Sequence, residues 1–218
     1  MTDSSAAGAA VYSPMTLALY DAWVLGISNR FAWRCRTQSV LLPFFRAHVR
    51  PRHLDIGVGT GYYLAKAQLS SHTQVTLLDL NRSSLEAARR RIDRPGTRTI
   101  LHDVMQPIPG DERFDSISLF YLLHCLPGPL DAKAAIFANL KHNLQPDGVL
   151  FGATILGDAA GHNGFGRKLM ALYNKKGIFG NREDTEAGFE ACLREHFRDV
   201  TLRREGCVLL FRAGQPIV

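Results

Sequence analysis

The sequence predicts an α/β fold, a mainly parallel sheet with helices on both faces and an antiparallel edge near the carboxyl end. Three observations predict it. From Leu54 onward, short apolar runs alternate with stretches of helical periodicity, as β-α units feeding a parallel sheet do. The run His53-Leu54-Asp55-Ile56 leads into Gly57-Val58-Gly59-Thr60-Gly61 and then a helical pattern, which is the strand–turn–helix of a ligand-binding crossover. Near the end, residues 200–204 and 207–212 are separated only by Glu205-Gly206, as two adjacent strands joined by a tight turn would be.

Residues 14–27 read as an amphipathic helix, with Leu17, Tyr20, Val24 and Ile27 recurring at three- and four-residue steps. Residues 31–48 read as a second helix, interrupted near Pro43. Strands are expected at 54–57, 75–79, 97–103, 114–121 and 148–155, with helices at 61–69, 84–92 and 132–143. Ser83 and Glu86 fit a capping box opening the second of these helices. Pro146-Asp147-Gly148 supplies a turn before the fifth strand. No linker or repeat divides the chain, so 1–218 reads as a single domain. It comprises a helical cap at 1–49 and a core at 50–218, with a lid at about 157–182.

Composition bounds the function. The chain has 218 residues, 46% hydrophobic and 21% charged, the balance of a soluble globular protein. Its first ten residues lack the basic start and apolar core of a signal peptide, and no run of about 18 apolar residues exists to span a membrane. The cysteines Cys35, Cys125, Cys192 and Cys207 form no C-x-x-C pair, which argues for reduced thiols in the cytoplasm and against a structural zinc site. The formal charge of +6 raises the question of nucleic acid. Its arginines, however, follow a helical face at Arg89, Arg90, Arg91 and Arg94 with few interleaved aromatics, which reads as a solvated surface.

The glycine loop departs from a dinucleotide fingerprint, which is spaced G-x-G-x-x-G. The third glycine comes one residue early, at Gly61, and Tyr62 stands where the fingerprint wants glycine. Asp55, just before the loop, would repel phosphates and pair with an ammonium group. Asp79 ends the second strand, where a carboxylate accepts from both hydroxyls of a ribose. Asp103 ends the third, where it could accept from an adenine amino group. An isolated strand-end aspartate is more often a solvated loop residue or a helix cap. Three in succession, after three successive strands, point to an adenosyl ligand with an amino-acid end.

These residues resemble the class I S-adenosylmethionine-dependent methyltransferases. Asp55-x-Gly57-x-Gly59-x-Gly61 is similar to their first motif, and Asp79 and Asp103 match their ribose and adenine positions. Phe114-Asp115-Ser116-Ile117-Ser118 resembles the start of their fourth strand. The resemblance covers roughly residues 50–212. It implies a Rossmann-like, seven-stranded sheet whose last strand inserts antiparallel beside the sixth, and S-adenosylmethionine as cofactor. By that resemblance Gly57 and Gly59 line its methionine part, Asp79 holds the ribose, and Asp103, Val104 and Leu80 meet the adenine.

The acceptor is read from the segment after the fourth strand, Phe120-Tyr121-Leu122-Leu123-His124-Cys125. There is no Asn/Asp-Pro-Pro-Tyr/Phe signature and no carboxylate cluster for a magnesium ion. An apolar, aromatic segment suits a small organic acceptor and metal-independent transfer. His124 is the candidate base, or else a histidine fixing the local turn. Tyr121 is either a cofactor contact or core. His162, Asn163, Tyr173 and Asn174 are candidate substrate contacts in the lid, the alternative being an ordinary capped helix. Tyr20 and Trp33 are candidate aromatic covers over a sulfonium or adenine, with helix core as their alternative. The reading is therefore a methyltransferase acting on a small metabolite of secondary metabolism. Two rivals remain open: an RNA methyltransferase, and a protein of the same fold that binds or cyclises a metabolite.

Overall fold

A computed structural model describes residues 21–217. Tyr20, expected on the first helix, lies outside the described residues. The cap begins with α1 (Asp21–Ala32), then α2 (Thr37–Leu41) running into α3 (Leu42–His48). The sheet strands are β1 (Arg52–Ile56), β2 (Gln74–Asp79), β3 (Arg98–Leu101), β4 (Phe114–Phe120), β5 (Leu144–Ile155), β6 (Phe197–Glu205) and β7 (Val208–Pro216). Between them lie α4 (Tyr62–Lys66), α5 (Arg82–Ile92), α6 (Leu130–Lys141), α7 (Gly164–Lys175) and α8 (Glu186–Arg194).

The seven strands take the order β3-β2-β1-β4-β5-β7-β6. The first five are parallel, and β7 inserts antiparallel between β5 and β6. This order reverses at β1 and β4, so the crevice for a ligand opens at their carboxyl ends. Two apolar layers cover the sheet. Leu54, Ile117, Leu119 and Leu150 face one that α6 and α8 close with Phe137 and Phe189. Leu77, Phe151 and Leu210 face the other, closed by Phe45 of α3 and Leu85 of α5. Each such fully buried side chain stabilises by about 1.5–3 kcal/mol.

Several sequence expectations are corrected. The first helix does not end at 27 but continues to Ala32, wound wide, with Trp33 N–H donating to Ser28 O five residues back at 3.0 Å. Left-handed Arg34 (φ 57°) then breaks the chain, so the second helical stretch starts at Thr37 rather than 31. Pro43 sits in the first turn of α3, where its missing N–H costs nothing, so it opens that helix rather than interrupting it. The capping box is replaced by Asn81, whose side chain accepts from Ser83 N–H at 2.8 Å. Helix α4 stops early, before left-handed Gln68. Strand β5 begins at Leu144, because a register shift against β4 absorbs the turn residues Pro146 and Asp147. Helix α8 was not expected at all, although Phe189, Cys192 and Leu193 are buried at helical spacing and Thr185 caps it.

A buried ion pair joins the segment around Gly180 to α6. Lys133 of α6 is fully enclosed, and its Nζ donates to both carboxylate oxygens of Asp184 (2.9 and 2.7 Å) and to Gly180 O (2.8 Å). Removing one partner strands a buried charge. Asp184→Ala should therefore lower stability by about 3–5 kcal/mol, and replacing both residues with apolar ones should recover most of it. Thermal and urea unfolding of the parent and the two variants checks this. Equal losses in the single and double variants would contradict it.

Candidate active site

The loop after β1 is built by close packing. Gly61 adopts φ +70°, and a Cβ there would lie 2.9 Å from the Ala88 Cα of α5, so only glycine lets the loop seat on that helix. Gly59 (φ +52°) is the opposite case: a Cβ there would meet nothing within 4 Å. Its backbone faces an open cleft, a cradle that a flat or bulky ligand can approach closely. Gly57 donates its N–H to Leu78 O at 2.9 Å, tying the loop to β2.

The cleft is lined by Asp55, by Gly57 to Thr60, by Tyr62 and Tyr63 of α4, by Phe120 and Tyr121, and by Leu25 of the cap. The expected residues Asp55, Gly57, Gly59 and Tyr121 thus meet in one place. Gly61 stands behind them, against α5. Tyr121 is buried and left-handed (φ 60°), an uncommon backbone for a bulky residue and one found at functional turns.

Asp79 lies beside the loop. Asn81 N–H donates to it at 2.8 Å, and the backbone N–H groups of Gly59, Val58 and Leu80 favour its charged form. Burial pushes its carboxyl up to about 6, against the pull of those donors. Asp55 is more enclosed: burial carries it to about 7, against a hydrogen bond from Ser118, and the charge of Asp79 adds to the rise. Two carboxylates at adjacent strand ends therefore favour a cationic, donor-rich ligand. His102 N–H donates to Asp79 O at 3.1 Å, bringing the third strand end alongside. There half-buried Asp103 accepts from Met105 N–H at 2.9 Å, Val104 is buried in the core and Leu80 is exposed.

The other expected residues lie elsewhere. His124 is buried, and its Nδ1 accepts from Ile155 N–H at 3.3 Å, with Thr154 Oγ1 at 3.4 Å. Burial, helped by Lys133, drives its imidazole down to about 3. Trp33 is also buried, packed edge-on against His162 (5.6 Å) and tilted on Phe179 (6.1 Å). It does not line the cleft, where the cap contributes Leu25. In the lid, His162 Nε2 meets the carbonyls of Leu156 and Gly157. Asn163 caps α7 through Gly166 N–H and donates to Phe31 O of the cap. Asn174 donates to Met170 O and Asn181 Oδ1. Tyr173 Oη accepts from Trp23 Nε1 at 2.9 Å on the outer face. Sequence reasoning missed Leu25, Tyr63, Ser118 and Asn181, the last buried and donating to Ile155 O.

Among the described residues no helix is long and apolar enough to cross a membrane, and no cluster of His, Cys, Asp and Glu could hold a metal ion.

A family profile described as a methyltransferase domain matches residues 54–150. The chain is 43% identical over 211 residues to the physcion biosynthesis cluster O-methyltransferase of Aspergillus chevalieri, covering 96% of this chain and 95% of that protein. It is 44% identical over 215 residues to the N-methyltransferase vrtF of Penicillium aethiopicum, covering 98% and 90%. The solved N-methyltransferase NodS from Bradyrhizobium japonicum WM9, in complex with S-adenosyl-l-homocysteine, shares the fold. Its TM-score is 0.63 at 17% identity, over 93% of this chain and 98% of that one.

The raised Asp55 value has a consequence for stability. Folding tightens the hold on its proton relative to the ordinary 3.8. That stabilisation is complete below the ordinary value and is lost as pH rises toward about 7. Asp55→Asn removes the loss. In the ligand-free protein, the melting temperature of the variant should gain on the parent steadily between about pH 4 and 7. A difference that stays flat with pH would contradict the assignment.

Proposed function

The chain belongs to the methyltransferase family, and on that premise we propose that it methylates a small organic metabolite, using S-adenosylmethionine and no metal. The observation that carries this reading is the open cradle at Gly59 beside the buried carboxylate of Asp55 and the half-buried one of Asp79. When bound, the cofactor supplies a methyl group on a sulfonium cation. Gly59 and Gly57 would lie along its methionine part, with Asp55 offering a carboxylate to the ammonium. Asp79 spends its oxygens partly on backbone donors and keeps acceptor capacity for a ribose diol. Asp103, Val104 and Leu80 would border the adenine.

Methyl transfer is accelerated mainly by alignment of acceptor, methyl carbon and sulfur, so the chain's task is to orient and to exclude water. Tyr121, Phe120 and Tyr63 supply apolar walls to the cleft, which suits an apolar or aromatic acceptor. The names of the relatives support a role in secondary metabolism with an oxygen or nitrogen nucleophile. His124 is assigned a positioning role: its Nδ1 lone pair is engaged by Ile155 N–H and its ring is walled in by Phe179 at 4.6 Å. It anchors the turn through its own carbonyl, which accepts from Gly180 N–H. His162, Asn163, Tyr173 and Asn174 act in this reading by shaping the lid. The four free cysteines support a reducing, cytoplasmic setting.

Two measurements test this. Asp79→Asn keeps the shape and removes the charge, so its affinity for S-adenosylhomocysteine by calorimetry should fall about 10- to 100-fold while the fold is retained. Unchanged affinity would refute the site. With a metabolite acceptor in hand, His124→Asn should melt earlier yet leave the shape of the kcat–pH profile intact. Loss of an ionisation from that profile would restore His124 as the base.

A further inference from the structure

Beneath the cleft floor, β1 and β4 pair in register, so that His53 faces Ser116 and Asp55 faces Ser118. Their side chains form one buried line. Arg50 N–H donates to Ser116 Oγ at 2.9 Å, Ser116 Oγ stands 2.8 Å from His53 Nδ1, and His53 Nε2 stands 3.1 Å from Ser118 Oγ. Ser118 Oγ completes the line with a short hydrogen bond to Asp55 Oδ1. His53, Ser116 and Ser118 are all fully buried, and the imidazole sits edge-on to Phe45 and tilted on Phe151, at 5.7 and 5.9 Å.

The hydrogens of this line can be counted. A hydroxyl has one hydrogen and a neutral imidazole has one N–H. With Asp55 ionised, Ser118 spends its hydrogen on the carboxylate, so His53 Nε2 must be the protonated nitrogen that donates to Ser118. His53 Nδ1 is then bare and accepts from Ser116, whose oxygen is held by Arg50 N–H. Every donor has an acceptor. With Asp55 protonated on Oδ1, the oxygen that meets Ser118, its O–H donates to Ser118, whose hydroxyl turns to a bare His53 Nε2. The ring hydrogen then sits on Nδ1 and donates to Ser116 Oγ, 2.8 Å away, whose own hydrogen turns away from the ring. Between the two arrangements Asp55 gives one proton to solvent, while His53 keeps a single ring hydrogen and moves it from Nδ1 to Nε2. Burial keeps the ring neutral throughout, far below its ordinary value.

We propose that His53 is a tautomeric relay coupled to the ionisation of Asp55, and that His53, Ser116 and Ser118 are positioning residues setting how strongly the site holds a cationic ligand. The second half rests on the reading of Asp55 as a cofactor contact; the first does not. The charged neighbour acting on Asp55 is Asp79 of β2. Tyr62 and Tyr63 of α4 and Tyr121 after β4 line the same cleft.

The ring nitrogens report the relay directly. In the ligand-free protein, nitrogen-15 NMR across about pH 5 to 9 should show His53 neutral throughout, passing from the Nδ1–H to the Nε2–H form with the midpoint of the Asp55 carboxyl. Ser118→Ala should abolish the passage and weaken binding of S-adenosylhomocysteine at neutral pH about tenfold or more, and Ser118→Thr should restore both. A single tautomer at every pH in the parent protein would overturn the relay, whether or not the variants fold. So would a passage that persists undiminished in Ser118→Ala. If the tautomer passes as expected but S-adenosylhomocysteine binds at no pH, the cofactor reading fails and the relay stands.

Discussion

Two carboxylates near the carboxyl ends of adjacent parallel strands set the terms for the rest of this protein. Asp55, buried in β1, and half-buried Asp79, closing β2 two positions beyond Leu77, the register partner of Asp55, both have their ionisation opposed by burial. The chain offsets that cost with fixed donors: loop N–H groups for Asp79 and the serine–histidine line for Asp55. Asn81 caps α5, the helix on which the glycine loop seats through Gly61 against Ala88, and Ser118 is placed by the register of β1 and β4. Packing, loop geometry and charge are thus one constraint. A ligand carrying a positive charge and hydroxyl donors removes the remaining strain, which links the stability of the loop to occupancy of the cleft.

A second buried charge organises the segment after β5. Lys133 and Asp184 fasten the segment around Gly180 to α6, and Gly180 in turn holds the His124 turn. Trp33, His162, Phe179 and His124 form a continuous aromatic layer from the cap to this turn. The N-terminal helices and the segment after β5 are therefore packed against each other through this layer, and Leu25 is the residue they contribute to the cleft. Donation by Asn163 to Phe31 O makes the same point from the outer edge.

Much of this was legible in the sequence because it depends on local pattern. Alternating apolar runs indicated a parallel sheet, and Asp55, Gly57 and Gly59, singled out by their spacing, line one cleft. What escaped notice depends on tertiary register. His53-x-Asp55 and Ser116-x-Ser118 each share a strand face, but their line of hydrogen bonds exists only because β1 and β4 align His53 with Ser116. Lys133 is fully buried on α6 because its partner Asp184 lies in a segment distant in sequence, which no local pattern reveals. Trp33 and His124 were singled out by residue type and by position in the cap and after the fourth strand, and both side chains are buried. The cap helices shifted because wide winding and left-handed Arg34 leave no sequence periodicity to follow.

The central claim is that the cleft over Gly59 takes an adenosyl ligand whose amino-acid end meets Asp55. A crystal structure of the protein with S-adenosylhomocysteine tests it most directly. The account predicts density against the Gly59 backbone, ribose hydroxyls on Asp79, the adenine toward Asp103 and Val104, and the ammonium on Asp55. Density for the ligand at another place, or in the cleft with its amino-acid end turned away from Asp55, would contradict it.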